Sequence, residues 1–249
     1  MVKVKRALLV GINYRGTRSE LQGCINDVLQ VKAFLLTQGY KEKYITVLTD
    51  DTDIQPTRAN ILKYFLELIL SGAETLYWHY SGHGGSVVDV SGDEADGLDE
   101  TLCPIDYAKK GMIIDDEIRG LLPCLNPAQH LTVVIDACHS LSSCDLKWNV
   151  YERFGGRRLV LVADENYTDT KGQVVMLSGA LDSQTAADAY IDGKFQGAMT
   201  YAFLKCYPES KTYEQLLKNI RALLRKERYT QIPNLAAGRN FDLRLKLRV

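Results

Sequence analysis

The sequence of 249 residues has no apolar run long enough to cross a membrane. Its longest runs, such as residues 7–12, are far shorter than the roughly 20 residues that a membrane-spanning helix needs. The same run meets Asn13 and Arg15 rather than a small-residue cleavage site. We therefore expect no transmembrane segment, no signal peptide and no membrane partner.

The chain also lacks an excess of charge of either sign. Its 30 Lys and Arg residues stand against 31 Asp and Glu residues, which gives a net charge of −1. Without a net field, the sequence does not indicate nucleic acid as a partner. Apolar residues make up 46% and charged residues 24% of the chain, so it has enough apolar side chains to bury a core, and disorder is excluded.

No C-x-x-C pair occurs, although the chain has six cysteines. Widely spaced cysteines in a chain long enough to fold without disulfides indicate a reducing, cytoplasmic compartment in which most thiols are buried. The six are Cys24, Cys103, Cys124, Cys138, Cys144 and Cys206.

Internal repeats are absent as well, and short apolar runs alternate with helical patterns along the chain. This alternation predicts an α/β fold with a mostly parallel sheet covered by helices on both faces. Ligands of such sheets bind at the C-terminal strand ends, here after Asn13, after Tyr80 and at residues 136–140. The predicted strands are 6–12, 45–49, 76–80, 131–136 and 174–179, and the predicted helices are 24–38, 58–71, 115–122, 197–207 and one that follows a capping-box pattern at Thr212 and Gln215.

Residues 142–172 carry the weakest pattern for regular structure. Two glycines and two arginines at 155–158, and a polar run over 164–172, separate the apolar segments there. We interpret this stretch as a long loop or linker, and long loops in compact domains are usually functional.

A histidine and a cysteine follow two of the predicted strands. His83 lies in the glycine-rich turn 81–85, and Cys138 lies in the segment 136–140. An imidazole near a thiol can hold the attacking sulfur deprotonated and later protonate a leaving amine, which is what nucleophilic acyl transfer needs. The backbone N–H groups of Gly84 and Cys138 are natural oxyanion donors in this arrangement.

Other interpretations of these residues stay open. A single Cys at a strand end is commonly a small buried apolar group, and a His in a turn is commonly solvated. His139 is a rival base, although neighbouring residues of an extended segment point to opposite faces, which favours His83. A zinc site of His79, His83 and a cysteine is a further alternative, but a strand and a glycine turn spoil the helical spacing that such a pair uses.

Taken together, the motifs closely resemble those of the metacaspases, caspase-like cysteine peptidases of plants, fungi and protists. The resemblance implies a single caspase-like peptidase domain over 1–249, a three-layer sandwich with a mostly parallel central sheet. Its parts would be a large-subunit-like region at 1–146, a linker at 147–172 and a small-subunit-like region at 173–249. Leu141 departs from the glycine that commonly follows the Cys-His-Ser run. The matching segments are 9–14, 23–27, 81–85, 96–101, 136–140, 178–188 and 197–204.

The resemblance also implies a pocket for a basic side chain. In metacaspases the residues matching Cys24, Asp27, Ser81 and Asp136 line the specificity pocket. Asp136 lies two residues before Cys138, so its carboxylate falls on the same side of the strand and needs a cation beside the thiol. A substrate Arg or Lys supplies that cation. The alternative is structural, with Asp27 favouring a helix N-terminus and Asp136 anchoring a loop.

A third implication is calcium. Residues 89–117 hold ten acids against two lysines, and clustered carboxylates repel one another unless a hard cation binds them. The spacing does not match an EF-hand, and the plain alternative is a solvated acidic loop. The calcium ligands of metacaspases match Asp99, Asp115, Asp116 and Asp145.

The expected function is therefore a calcium-activated cysteine endopeptidase, monomeric, acting on proteins after Arg or Lys. Self-cleavage is an expectation for the linker, where basic residues could otherwise serve only solubility. The main rival is a catalytically silent caspase-like scaffold that binds calcium or a partner; another is an enzyme that is aspartate-specific or calcium-independent. The basic linker residues are Arg153, Arg157, Arg158 and Lys171.

Overall fold

The computed structural model describes residues 4–88, 97–137, 144–153, 158–179, 189–191 and 193–249. The strands are β1 (Lys5–Gly11), β2 (Ile45–Thr49), β3 (Thr75–Ser81), β4 (Gly84–Val88), β5 (Leu98–Leu102), β6 (Ile113–Ile114), β7 (His130–Asp136), β8 (Trp148–Arg153), β9 (Arg158–Ala163), β10 (Gln173–Ser178), β11 (Ala189–Ile191), β12 (Lys194–Gln196) and β13 (Asn234–Ala237). The helices are α1 (Cys24–Thr37), α2 (Arg58–Leu70), α3 (Tyr107–Lys110), α4 (Asp115–Leu121), α5 (Ala198–Cys206) and α6 (Tyr213–Lys226).

Eight of these strands form one sheet in the order β2-β1-β3-β7-β10-β13-β8-β9. The first five are parallel, as the alternation of strands and helices predicts, and β13, β8 and β9 continue the sheet in antiparallel pairs. Two small sheets, β4-β5-β6 and β11-β12, lie outside it. The parallel strands all end at the same edge, so the loops after β1, β3 and β7 are neighbours.

Each face of the large sheet is covered by its own apolar cluster. Along β1, Leu8 and Val10 pack into one cluster with α2 and α4, while Ala7 and Leu9 pack into the other with α1, α5 and α6. This alternation of side chains between faces explains why the central strands are continuously apolar. The predicted α/β sandwich of three layers is confirmed.

Two predicted N-caps are present with one difference in detail. The Thr57 side chain accepts a hydrogen bond from Asn60 N–H at 3.3 Å, and Thr212 accepts one from Gln215 N–H at 3.2 Å. The Gln215 side chain accepts from Lys211 N–H rather than from the cap residue itself. The capping box of α6 therefore closes one residue earlier than the pattern predicts.

The predicted linker at 147–172 contains two strands where the sequence favours a long loop. Residues of β8 and β9 pair as an antiparallel hairpin, with Arg153 opposite Arg158, at the edge of the large sheet. An edge hairpin needs few apolar residues: Val150 and Leu159 are buried, whereas the neighbouring Tyr151 is 57% exposed. Strand β8 therefore looks polar in the sequence, whereas β9 carries a short apolar run, and the glycine pair that suggested a loop falls between them.

The lengths of the helices concern the expectation that no segment crosses a membrane. Among the helices in the described ranges, the longest, α1 and α6, have 14 residues each and fall short of a membrane span. The five cysteines in these ranges are free thiols, and four of them are buried.

The contact between β1 and α1 predicts a strong effect of Gly11→Ala. A Cβ at Gly11 would lie 2.5 Å from the Cys24 carbonyl oxygen and 2.6 Å from Val28 Cγ2, so α1 must shift. We expect the free energy of unfolding to fall by about 1–3 kcal/mol, measured by urea denaturation. Gly120→Ala is the matched control, because no atom lies within 4 Å there and alanine favours helix α4. Equal stability of the two variants would contradict this view of the packing.

Candidate active site

Backbone hydrogen bonds join the strand ends at which the sequence places its chemistry. Ser81 and Asp136 are register partners on the neighbouring strands β3 and β7. Gly82 N–H donates to the Asp136 carbonyl at 3.3 Å, and Ile12 N–H donates to the Ser81 carbonyl at 3.0 Å. The turn that carries His83 is thus bound to the strand that leads to Cys138.

The imidazole of His83 has a defined partner. Its Nε2 lies 2.8 Å from the backbone carbonyl oxygen of Ser19, in the loop after β1. A carbonyl oxygen only accepts hydrogen bonds, so Nε2 carries the proton and the lone pair of the neutral ring is at Nδ1. The side chain is therefore in the tautomer in which Nδ1 can act as a base.

The backbone of His83 is hydrogen-bonded to two tyrosines that the sequence analysis does not predict as site residues. Tyr14 Oη accepts from His83 N–H at 2.9 Å, and Tyr80 Oη donates to the His83 carbonyl at 2.9 Å. Ser19 was missed because it acts through its main chain, which leaves no side-chain signal. The tyrosines had a weak signal: each lies at a predicted strand end.

The predicted nucleophile Cys138 and its N–H group lie outside the described residues. The last described position before it is Ala137, which is buried. Gly84, the other predicted oxyanion donor, begins β4 directly after His83 and is half-buried opposite Leu102. Both oxyanion assignments stay predictions.

The carboxylate of Asp27 lies in the interior, bound by two other elements. Ser81 Oγ donates to its Oδ2 at 2.7 Å, and Gly197 N–H lies 3.0 Å from both carboxylate oxygens. Its side chain therefore joins α1 to the end of β3 and to the start of α5. Ser81 and Asp27, predicted to share a site, are in direct contact.

Asp136 lies beside Asp27 at the same helix start. Thr200 N–H donates to Asp136 Oδ2 at 2.7 Å, while the buried Oδ1 has no hydrogen-bond partner among the described residues. A Cβ built on Gly197 would lie 2.0 Å from Asp136 Oδ2 and 2.8 Å from Asp27 Oδ2. Both carboxylates thus approach Gly197, and no larger residue fits between them. Burial raises the pKa of Asp136 to about 6, against the opposing effect of the Thr200 hydrogen bond.

Cys24, the fourth predicted pocket residue, is fully buried at the start of α1. It belongs to the apolar cluster that contains Tyr14 and Tyr80, and its thiol contributes to raising the pKa of both tyrosines. The structure therefore places Cys24 beside the tyrosines under His83.

The predicted metal ligands include three buried carboxylates. Asp99 on β5, Asp115 at the start of α4 and Asp145 are 4%, 1% and 1% exposed. Asp115 Oδ2 accepts from Glu100 N–H at 2.7 Å, which joins α4 to β5. Burial raises the pKa of Asp115 to about 8.

Asp145 comes from a separate segment but lies near Asp115. Burial raises the pKa of the Cys144 thiol, and the Asp145 and Asp115 carboxylates raise it further. Asp116 is only half-buried. Carboxylate oxygens suit a hard cation such as calcium, although within the described ranges no three His, Cys, Asp or Glu side chains are arranged as a metal site.

The absence of a metal-binding cluster among the described residues also concerns the alternative zinc site of His79, His83 and a cysteine. His79 is fully buried within β3, and burial lowers its pKa to about 3. His83 instead contacts Ser19. In the part of the chain that the structure describes, the two histidines therefore form no metal cluster with a cysteine.

Comparison with known proteins gives concordant results. A family model described as "Metacaspase, peptidase C14 domain" matches residues 5–147. Metacaspase-1 of Eremothecium gossypii is 37% identical over 97% of this chain and 66% of its own length, and Metacaspase-1A of Neurospora crassa is 37% identical over 96% and 64%. The chain thus spans about two thirds of the length of these curated relatives.

Solved structures show the same fold. A crystal structure of a protein from Geobacter sulfurreducens aligns with a TM-score of 0.69 at 25% identity, over 98% of this chain and 97% of that one. Caspase-1 from Spodoptera frugiperda aligns with a TM-score of 0.57 at 12% identity, over 94% and 86% of the two chains. The second likeness concerns the fold alone.

The raised pKa of Asp136 predicts a pH-dependent stability difference. Between about pH 4 and pH 6 the folded state retains a proton that the unfolded state has lost, so the free energy of unfolding falls as pH rises. Asp136→Asn cannot ionise, so its stability relative to the unsubstituted chain should rise by about 3 kcal/mol from pH 3.5 to pH 7. Urea denaturation at both pH values measures this. Asp53→Asn, at an exposed turn, is the control, and a pH-independent difference for Asp136→Asn would contradict the prediction.

Proposed function

This chain belongs to the metacaspase family, and we propose on that basis that it is a cysteine endopeptidase cleaving peptide bonds after Arg or Lys. The observation that carries the proposal is the pair of buried carboxylates at the start of α5, hydrogen-bonded through Ser81 and Gly82 to the turn that carries His83. Two buried acids at the strand ends would suit a cationic side chain.

In the proposed reaction Cys138 is the nucleophile and His83 the general acid and base. His83 Nδ1 takes the thiol proton, and Cys138 Sγ forms a bond to the carbonyl carbon of the substrate. When the C–N bond breaks, the imidazolium gives its proton to the leaving amine. Water then hydrolyses the thioester, with His83 again acting as the base, and the thiol is restored. The N–H groups of Gly84 and Cys138 would stabilise the oxyanion.

Charge accounts for the proposed specificity. The N-terminus of α5 offers roughly half a positive charge, which does not balance two carboxylates. A guanidinium or ammonium group of the substrate would supply the missing charge, and its presence favours the ionised form of Asp136. An aspartate side chain would instead meet two like charges. Asp27 and Asp136 are thus the proposed selectors of Arg or Lys.

We also propose that calcium binds at Asp99, Asp115, Asp116 and Asp145. Burial of three of these carboxylates supports the proposal, because carboxylates buried together stay ionised at neutral pH only with a cation beside them. Calcium would supply the positive charge that allows these groups to ionise together. Asp145 lies seven residues after Cys138, so the segment that holds it would also hold the loop of the nucleophile.

Self-cleavage is proposed at the basic residues of 153–171. Arg153 and Arg158 face each other across the tip of the β8–β9 hairpin, and Arg157 lies outside the described residues. Lys171 is exposed in the irregular segment before β10. Cleavage at Lys171 requires less unpairing of the sheet than cleavage within the hairpin strands.

The remaining expectations concern partners and location. We propose that the chain acts on protein or peptide substrates as a monomer in the cytoplasm. The near-zero net charge gives no support for nucleic acid as a partner.

The first prediction from this proposal concerns peptide cleavage. Fluorogenic peptides ending in Arg or Lys should be hydrolysed and those ending in Asp should not, and Cys138→Ala should abolish turnover. Asp27→Asn and Asp136→Asn should each lower kcat/KM for the Arg peptide by about 30-fold or more, because a buried charge pair loses one partner. Asp53→Asn is the control at an exposed acid.

The outcomes separate the alternatives. Cleavage after Asp, or retained Arg preference in both pocket variants, would contradict the proposed specificity. No cleavage under any condition, together with no enhanced reaction of Cys138 with iodoacetamide, would favour the catalytically silent scaffold, because a scaffold has no unusually nucleophilic thiol.

The second prediction concerns calcium. Calcium should raise both the rate of cleavage and the thermal midpoint of unfolding, because a ligand of the folded state stabilises it. Asp115→Asn and Asp145→Asn should lose both responses, whereas Asp53→Asn should retain them. Undiminished activity in excess chelator would overturn calcium activation, and an unchanged thermal midpoint would overturn binding.

A further inference from the structure

Two buried tyrosine hydroxyls lie beneath the turn that carries His83. Tyr14 and Tyr80 are 1% and 0% exposed, and their hydroxyl oxygens lie 3.2 Å apart. Burial raises the pKa of both phenols well above the usual value, so each hydroxyl keeps its proton. Each oxygen can therefore donate one hydrogen bond and accept up to two.

The two hydroxyls contact the backbone of both His83 and Cys103. Tyr14 Oη accepts from His83 N–H at 2.9 Å and donates to the Cys103 carbonyl at 2.6 Å. Tyr80 Oη accepts from Cys103 N–H at 3.1 Å and donates to the His83 carbonyl at 2.9 Å. Tyr80 Oη also lies 3.0 Å from the Cys103 carbonyl, and Cys103 N–H donates directly to the His83 carbonyl at 3.0 Å, so the two hydroxyls reinforce a backbone hydrogen bond between His83 and Cys103.

The two hydroxyls thus bridge both backbone groups of His83 to both backbone groups of Cys103. Gly82 leaves room for the same two hydroxyls, because a Cβ there would lie 2.8 Å from Tyr80 Oη and 2.9 Å from Tyr14 Oη. Three separate segments, the loop after β1, the end of β3 and the residue after β5, meet at this point.

Tyr14 also acts on the imidazole ring. Its ring centroid lies 4.7 Å from that of His83. Its backbone has φ of 51°, and its carbonyl accepts from both Thr17 N–H and Thr17 Oγ1, which turns the loop toward Ser19. Ser19 in turn holds His83 Nε2. One residue therefore influences the main chain, the ring face and the Nε2 partner of the histidine.

We infer that Tyr14 and Tyr80 are positioning residues, whose hydroxyls hold His83 where Nδ1 can exchange a proton with the nucleophile. The inference rests on the proposed peptidase function. The hydrogen bonds that shape the carboxylate pocket come from Ser81, Gly197 and Thr200. Loss of a tyrosine hydroxyl should therefore affect proton transfer and leave the recognition of the substrate cation intact.

The test uses Tyr14→Phe and Tyr80→Phe, with Tyr77→Phe as the matched control. Tyr77 is buried on the same strand as Tyr80, and its hydroxyl has no hydrogen-bond partner among the described residues. With an Arg peptide we expect kcat to fall about 10- to 100-fold in the first two variants, with KM within about twofold of the unsubstituted chain. The control should keep kcat, KM and the pH profile.

A second readout is independent of turnover. Long-range proton–nitrogen NMR correlations of the imidazole report which nitrogen of His83 carries the proton. In the unsubstituted chain and in Tyr77→Phe we expect one tautomer, protonated at Nε2, and in Tyr14→Phe a mixture of the two. Gly82→Ala adds a methyl group against both hydroxyls while keeping both rings. It should show the same mixture of His83 tautomers as Tyr14→Phe, and it replaces that test if either phenylalanine variant fails to fold.

The outcomes distinguish this inference from the proposed function. An inactive unsubstituted chain would contradict the peptidase assignment, and the NMR comparison would then decide the positioning role alone. Folded Tyr14→Phe and Tyr80→Phe with unchanged kcat, unchanged pH profile and a single His83 tautomer would overturn the inference. A rise in KM with unchanged kcat would also overturn it, because that result places the tyrosines in substrate binding.

Discussion

Asp27 and Asp136 lie buried together at the first turn of α5, and the elements of the site are joined through them. Asp27 brings α1, Asp136 brings β7, Ser81 ends β3, and Gly197 and Thr200 begin α5. Burial of a carboxylate is unfavourable unless hydrogen bonds and opposite charge compensate it. The fold supplies the hydrogen bonds and part of the charge at the helix N-terminus, and leaves a deficit of positive charge. The residues that order the site are therefore the same ones that would bind the substrate cation in the proposed function.

This arrangement also explains why a structural and a functional interpretation of the two acids do not exclude each other. Asp27 does tie a helix to the sheet, and Asp136 does bind the start of another helix, as the structural alternative holds. A purely structural role would be served better by neutral partners, because a carboxyl group whose pKa is raised to about 6 destabilises the folded chain at neutral pH. Retention of an ionisable group at such a cost is typical of functional sites.

Much of the fold was accessible from the sequence, and the exceptions share a physical cause. The central strands and α1, α2, α5 and α6 are long enough and apolar enough to show their period. Strand β8 is mostly polar, and the apolar run of β9 is short and follows a glycine pair that favours a loop. Strands β4 and β5 run through a glycine-rich and an acidic segment, so their patterns are weak. For the site, His83, Asp27 and Asp136 could be predicted from their positions at strand and helix ends, and Ser81 from the resemblance to metacaspases. Ser19, Gly197 and Thr200 act through backbone groups, which no side-chain pattern reveals.

The order of strands in the large sheet has a consequence for synthesis. β13 lies between β10 and β8, so β8 and β9 have no place in the sheet until residues 234–237 have left the ribosome. Chains emerge from the N-terminus at about 5–20 residues per second, and β1, β3 and β7 can pair well before that. In a nascent chain without β13, the edge of β10 is therefore exposed, and the β8–β9 hairpin has no strand of the sheet to pair with. Completion of this side of the sheet therefore comes after synthesis of β13, well after the histidine turn has been made.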